Sequence, residues 1–180
     1  MRIPCGGLIG IVAVLVIAPL AAGGDTSPLP TPSNPSDDLK RFTVLKDFGD
    51  AAVLDQTTGL VWEQSPQTAK ATWLDAQSVC SVKTVGGRTG WRLPTLQELL
   101  SLGDPTQAHP ALPHGHPFGN VQSSLYWSAT TVAVELSYAW SVDFANGLVK
   151  EGVFGPKTNA LHVWCVHGGQ GADPGGSGRP

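Results

Sequence analysis

The stretch Gly90-Trp91-Arg92-Leu93-Pro94-Thr95-Leu96-Gln97-Glu98-Leu99-Leu100 decides the reading of this 180-residue chain. It is a helix start. Thr95 stands at the N-cap, and Glu98, three residues on, completes a capping box in which each side chain satisfies the other's backbone N–H. Leu96, Leu99 and Leu100 supply the buried stripe. The capping role accounts for Glu98 without catalysis, and Arg92 is expected to tether backbone carbonyls beside the helix.

Upstream, Thr72 with Asp75 reads as a second capped start, and Trp73, Ala76, Val79 and Cys80 follow at helical spacing. Gly86-Gly87-Arg88-Thr89-Gly90 is a loop between the two helices. Earlier still, Val53 to Trp62 reads as an antiparallel hairpin around Gln56-Thr57-Thr58-Gly59, with glycine where a positive φ is wanted. Downstream, His109 to Asn120 has no periodicity and carries Pro110, Pro113 and Pro117, so a long exposed loop is expected.

The last third reads as β. Phe144-Ala145-Asn146-Gly147-Leu148-Val149 centres on Asn-Gly, a strong hairpin signal. With Asn146 and Gly147 as the turn, Phe144 faces Val149 and Asp143 faces Lys150. Tyr138, Trp140, Val142 and Phe144 then share one face with Val149 and Val153, while Ser141, Asp143 and Lys150 share the other. Glu151 falls opposite Val142 on the apolar face, which this register leaves unexplained. Two short helices and several antiparallel hairpins, without βαβ alternation, give an α+β domain.

Gly-Trp-Arg-Leu-Pro-Thr-x-x-Glu-Leu at 90–99 strongly resembles the Lcl C-terminal domain family of bacterial secreted and surface proteins. Val53 to Trp62 resembles the family's opening hairpin, and Tyr126-Trp127-Ser128-Ala129-Thr130-Thr131 its middle strand. Ala139-Trp140-Ser141-Val142-Asp143-Phe144, Gly147 and Val163-Trp164-Cys165-Val166 resemble its closing strands. The blocks occur in the family's order over residues 41–168. The resemblance implies a C-type-lectin-like fold, with two short helices packed on antiparallel β hairpins and one disulfide. It also implies a non-catalytic, extracellular binding or adhesion module.

The ends fit export. Arg2, the apolar run Leu8–Leu20 and the small residues Ala21 to Gly24 read as a signal peptide over 1–24. That run is shorter than the roughly 20 residues a membrane-spanning helix needs, so no stable span is expected after cleavage. Residues 25–40 form a Pro-rich linker, and 169–180 a disordered Gly-rich tail without the strict three-residue period of collagen. Cys5 leaves with the signal. Cys80 and Cys165 remain, and two cysteines in an exported chain form one disulfide; a bridge from the first helix to the last strand is also what the resembling fold implies.

Charge narrows the partners. Residues 41–168 carry eight Lys and Arg against ten Asp and Glu, a net of −2, so no basic cluster faces a phosphate backbone and nucleic acid is excluded. The same balance departs from the basic surface with which members of the resembling family bind sulfated polysaccharide. Calcium-mediated sugar binding is also disfavoured. The Glu-Pro-Asn, Gln-Pro-Asp and Trp-Asn-Asp tripeptides of calcium-dependent lectins are absent, and Gln107 to Ser124 contains no acid. His109, His114 and His116 have the spacing of metal ligands but lack a neighbouring acid or cysteine, so a solvated loop is expected and no cofactor.

The ligand, a glycan or another surface protein, is expected over that loop and the solvent face of the last hairpin. Asp143, Lys150, Ser141, Asn146, His114 and His116 are its candidate residues. Asp143 and Lys150 also have a plain reading as an exposed cross-strand ion pair. Trp140 and Tyr138 are assigned to the core. Two alternatives remain: a metal-binding protein, or an enzyme similar to formylglycine-generating enzymes, which need a reactive cysteine pair. Two cysteines already committed to a bridge argue against the enzyme.

Overall fold

The computed structural model describes residues 41–146 and 152–169. The expected signal peptide, linker, tail and Asn-Gly hairpin tip, with Lys150, lie outside the described residues. The fold is α+β. Its strands are β1 (Phe42–Val44), β2 (Ala52–Asp55), β3 (Leu60–Glu63), β4 (Trp91–Arg92), β5 (Leu125–Val132), β6 (Glu135–Asp143), β7 (Val153–Pro156) and β8 (Val166–His167). The helices are α1 (Trp73–Ser81) and α2 (Leu96–Leu102). Strands β1-β2-β3-β8-β4 form one antiparallel sheet and β5-β6-β7 a second. Among the described residues no helix is long and apolar enough to cross a membrane.

The expected hairpin pairs Val53 with Trp62 and Asp55 with Leu60, and Gly59 turns it at φ +71°. Asp55 is buried at the turn, where its carboxylate accepts from Thr57 N (3.0 Å), Thr58 Oγ1 (3.0 Å) and both arms of Arg41 (3.0 and 2.8 Å). Burial alone would raise its pKa; the Arg41 guanidinium and the turn's donors outweigh that and hold it below the ordinary value. Strand β1, which pairs with β2, and the two-residue β4 lack a legible pattern because three and two residues are too few to show a period.

Both helix starts are capped as expected. Asp75 N donates to Thr72 Oγ1, while at Thr95 the whole box is present, with Glu98 N to Thr95 Oγ1 at 3.3 Å and Thr95 N to Glu98 Oε2 at 2.8 Å. Helix α1 buries Ala76 and Cys80, and α2 buries Leu99 and Leu102. Around α2 lies a cluster with Trp62, Trp164, Tyr126, Phe144 and Val142; around α1 lies a second, with Trp91, Trp127, Phe48 and Val163. Cys80 and Cys165 are bonded in that second cluster, both fully buried, and join α1 to the segment entering β8. Beside the bridge, buried Glu63 accepts from Cys165 N (2.8 Å) and from Lys83 Nζ (2.6 Å), so no charge is left without a partner.

Two expectations change. The register of β6 with β7 is one residue off: Ser141 pairs with Val153 and Trp140 with Phe154. A shift of one exchanges the faces of a strand, so Phe154, and not Val153, shares a face with Trp140. Carried one pair further, this register sets Gly152 opposite Val142. A Cβ at Gly152 would lie 2.9 Å from both Leu96 Cδ1 and Trp140 Cε3, a space that admits only glycine.

The second change concerns the 109–120 loop, which is packed rather than solvated. Ala111, Leu112, Pro113 and Phe118 are buried. Ala111 N donates to Phe144 O (2.8 Å), Gln64 Nε2 to Pro117 O (2.7 Å) and Gly119 N to Gln64 O (2.8 Å). The apolar residues that anchor it are spaced irregularly, so no helix or strand period betrays them.

Candidate binding surfaces

The candidate residues divide. His109 N donates to Ala145 O (3.2 Å), so the loop and the end of β6 do meet, as the expected ligand surface requires. His114 and Asn146 are exposed there. Asp143 is half-buried, and its Oδ1 accepts from Ala145 N (2.9 Å), which closes a turn at the end of the strand. Ser141 was expected on the solvent face but is buried, and its hydroxyl donates to Val153 O (2.9 Å). It belongs to the sheet's own bonding.

His116 is half-buried and stacks on Phe118 with ring centroids 5.9 Å apart. Burial, aided by the charge of His114, holds its pKa below the ordinary value, so it is neutral at pH 7. Its Nδ1 is buried without a hydrogen-bond partner among the described residues. No group of three or more His, Cys, Asp or Glu able to hold a metal occurs among the described residues.

Two surfaces were not legible in the sequence. The first is the outer part of the second sheet. The observed register places Leu136, Tyr138 and Trp140 of β6 on one face with Phe154 and Pro156 of β7. Trp140 and Phe154 meet edge to face at 5.3 Å, and Tyr138 and Phe154 at 6.3 Å. Tyr138 and Trp140 are half-buried and belong to neither core cluster, which corrects their assignment to the core. Leu136 is 73% exposed and Phe154 56%, and Val134 at the β5–β6 turn is 94% exposed. An alternating Leu-x-Tyr-x-Trp stripe reads as inward-facing because sequence alternation defines a face without saying what covers it.

The second surface is a cleft of about 650 Å³ between α1 and the β4–α2 junction. Trp73, Gln77, Ser78 and Ser81 line it from α1, and Arg92 and Thr95 from the junction. Trp73 is held rigidly: its indole N–H donates to Ser128 O (2.8 Å), and Lys157 Nζ sits 3.8 Å from its ring centroid. Arg92 is occupied. Its terminal nitrogens donate to both Glu98 oxygens (2.8 and 2.6 Å) and to Gly168 O (2.7 Å). This bears out the backbone tether and adds an ion pair that the capping reading of Glu98 did not include.

The whole is a disulfide-closed α+β domain whose described surface offers an apolar sheet face and a cleft in which Leu93, Ala129 and Trp73 stand beside the polar groups. It belongs to the Lcl C-terminal domain family, whose model matches residues 51–167. No curated protein matches the chain.

Proposed function

We propose that this is an exported, non-catalytic recognition or adhesion module on a C-type-lectin-like scaffold, and that it holds another surface protein through the outer face of β6 and β7. The observation that carries the reading is the stripe of Leu136, Tyr138, Trp140 and Phe154, half-buried at Tyr138 and Trp140 and exposed at Leu136 and Phe154. Contiguous apolar surface of this kind marks interaction sites in folded proteins, and aromatic anchors dominate binding energy at interfaces. The strands beneath are fixed by the ladder, so little ordering accompanies contact. The buried disulfide is compatible with an oxidising compartment, and it supports the non-catalytic reading because neither sulfur is a thiolate.

The test uses beads coated with the oxidised domain and a target cell surface. Replacing Leu136 and Phe154 together with serine is expected to lower bead retention at least tenfold with the melting temperature unchanged. Protease treatment of the target surface is expected to abolish retention. Retention that survives both the double variant and the protease overturns the reading.

A further inference from the structure

We propose that the cleft between α1 and the β4–α2 junction is a second, independent site that takes a short neutral oligosaccharide without a metal ion. Its volume, about 650 Å³, lies within the range of roughly 300–1,000 Å³ typical of small-ligand sites. Its chemistry is that of a sugar's surroundings: one fixed aromatic ring and a mixed set of hydrogen-bond donors and acceptors. Both the N–H and the ring of Trp73 are already engaged, so it loses no rotamer freedom when a sugar's C–H face lies against it.

The polar groups are complementary to hydroxyls. Ser78 Oγ donates to Leu74 O (3.1 Å) and Ser81 Oγ to Ser78 O (2.9 Å), which leaves both oxygens as acceptors. Thr95 Oγ1 accepts from Glu98 N and donates its proton to the Glu98 carboxylate, which leaves its second lone pair as an acceptor. Gln77, half-buried on the exposed side of α1, adds an amide that both donates and accepts. A sugar hydroxyl does both at once, so each of these groups has a match in it.

Charge selects against the anionic alternatives. Arg92 is the one ionisable residue among those lining the cleft, and the Glu98 carboxylate neutralises it at 2.6 Å. Among the lining residues a sulfate, phosphate or carboxylate therefore finds no unpaired cation and a divalent ion no carboxylate; Lys157, outside the lining, is held on the Trp73 ring and by Thr131 Oγ1 (3.0 Å). A neutral ligand needs neither.

The site is tested with the oxidised protein, by titrating the neutral disaccharides cellobiose, maltose and chitobiose against a sulfated chondroitin disaccharide. The readout is the NMR signal of each tryptophan indole. The expected result is a saturable shift of the Trp73 indole by at least one neutral disaccharide, unchanged by EDTA and by 0.5 M salt, since no counterion is released. Ser81→Trp, which fills the cleft, and Gln77→Ala, which only removes the amide, are each expected to weaken it at least tenfold. The Leu136 and Phe154 serine variant is expected to bind as wild type, which separates this site from the sheet face. The proposal is overturned if no neutral sugar moves Trp73, if only the sulfated one does so in a salt-sensitive way, or if Gln77→Ala in a folded protein binds normally.

Discussion

Glu98→Gln is a sharp test of how this domain is held together, because a capping box and an ion pair make opposite forecasts for it. Glutamine satisfies a capping box almost as well as glutamate, so a box alone predicts a loss close to zero. In the structure the same carboxylate has a second duty. Oε2 accepts from Thr95 N (2.8 Å) and Arg92 Nη1 (2.8 Å), and Oε1 accepts from Arg92 Nη2 (2.6 Å). Glutamine can keep one carbonyl on Thr95 N, but its NH₂ must then face an Arg92 donor. The pair is only 23% and 16% exposed, so solvent screening leaves most of its strength. The expected loss is about 1.5–3 kcal/mol, the usual range for a hydrogen bond to a charged group, against about 1 kcal/mol for Thr95→Ala, which removes only the cap.

Chemical denaturation followed by tryptophan fluorescence reads this directly, and at this chain length the loss corresponds to roughly 3–12 °C in melting temperature. The pH dependence supplies an independent check. Burial pushes the Glu98 carboxyl up, but Arg92 and the Thr95 cap outweigh it, and its pKa lies below the ordinary 4.5. The unfolded chain therefore takes up the proton first as pH falls. The contribution of Glu98 is complete above about pH 4.5 and is lost as pH falls through the folded value. The gap between wild type and Glu98→Gln must narrow in that acid window. A gap below about 0.5 kcal/mol at pH 7, or one that persists unchanged at pH 3, refutes the ion-pair account.

Replacing Cys80 and Cys165 with alanine removes a link across 85 residues and is expected to cost about 2–5 kcal/mol, read as a fall in the denaturation midpoint; a fall under 1 kcal/mol, about half the lower bound, contradicts the assignment. His162 is buried against Tyr126, and burial together with the charge of Lys70 lowers its pKa. Stability is thus complete above the ordinary pKa of 6.5 and declines as pH falls toward the folded value, a slope that His162→Phe should flatten in a pH series of melting temperatures. Gly86 sits at φ +57° with room for no Cβ, since one would fall 2.4 Å from Phe48 Cα; Gly86→Ala should lose more than about 1 kcal/mol by the same denaturation assay.

The elements that the sequence reveals are those written locally. A cap three residues from its partner, as at Thr72–Asp75 and Thr95–Glu98, and a glycine at the end of a four-residue turn, as at Gly59, are short-range physics, and they stand where the sequence puts them. The β6–β7 register is different. Asn-Gly fixes a turn only if the loop has two residues, and the observed pairs Ser141–Val153 and Trp140–Phe154 differ by one from that assumption. Ser141 is buried for another reason: it keeps the face opposite Trp140, but that face, shared with its partner Trp127 and with Ala139, is covered by the second cluster. The 109–120 loop errs for a similar reason, since prolines signal irregular backbone but say nothing of whether Leu112 and Phe118 are covered.

The two surfaces were hidden because each is a property of tertiary packing that borrows residues with complete local explanations. Thr95 caps a helix, Arg92 binds a capping glutamate, Ser78 and Ser81 return their protons to their own helix, and Trp73 bonds Ser128 O. Those same bonds are what make the cleft neutral and rigid. The Arg92–Glu98 pair removes the one charge that would draw an anion, and Trp73 cannot turn aside. The structural roles therefore do not compete with recognition; they set its terms, because a group already fixed by the fold adds no ordering cost when a ligand arrives. On the second sheet the logic runs the other way. Strand alternation sets Trp127 and Ala139 toward one cluster and Tyr126 and Val142 toward the other, and β6 and β7 run on past α2 with Leu136 and Phe154 exposed. A side chain that the core does not need, on strands held by the ladder, is free to be chosen by what it touches outside.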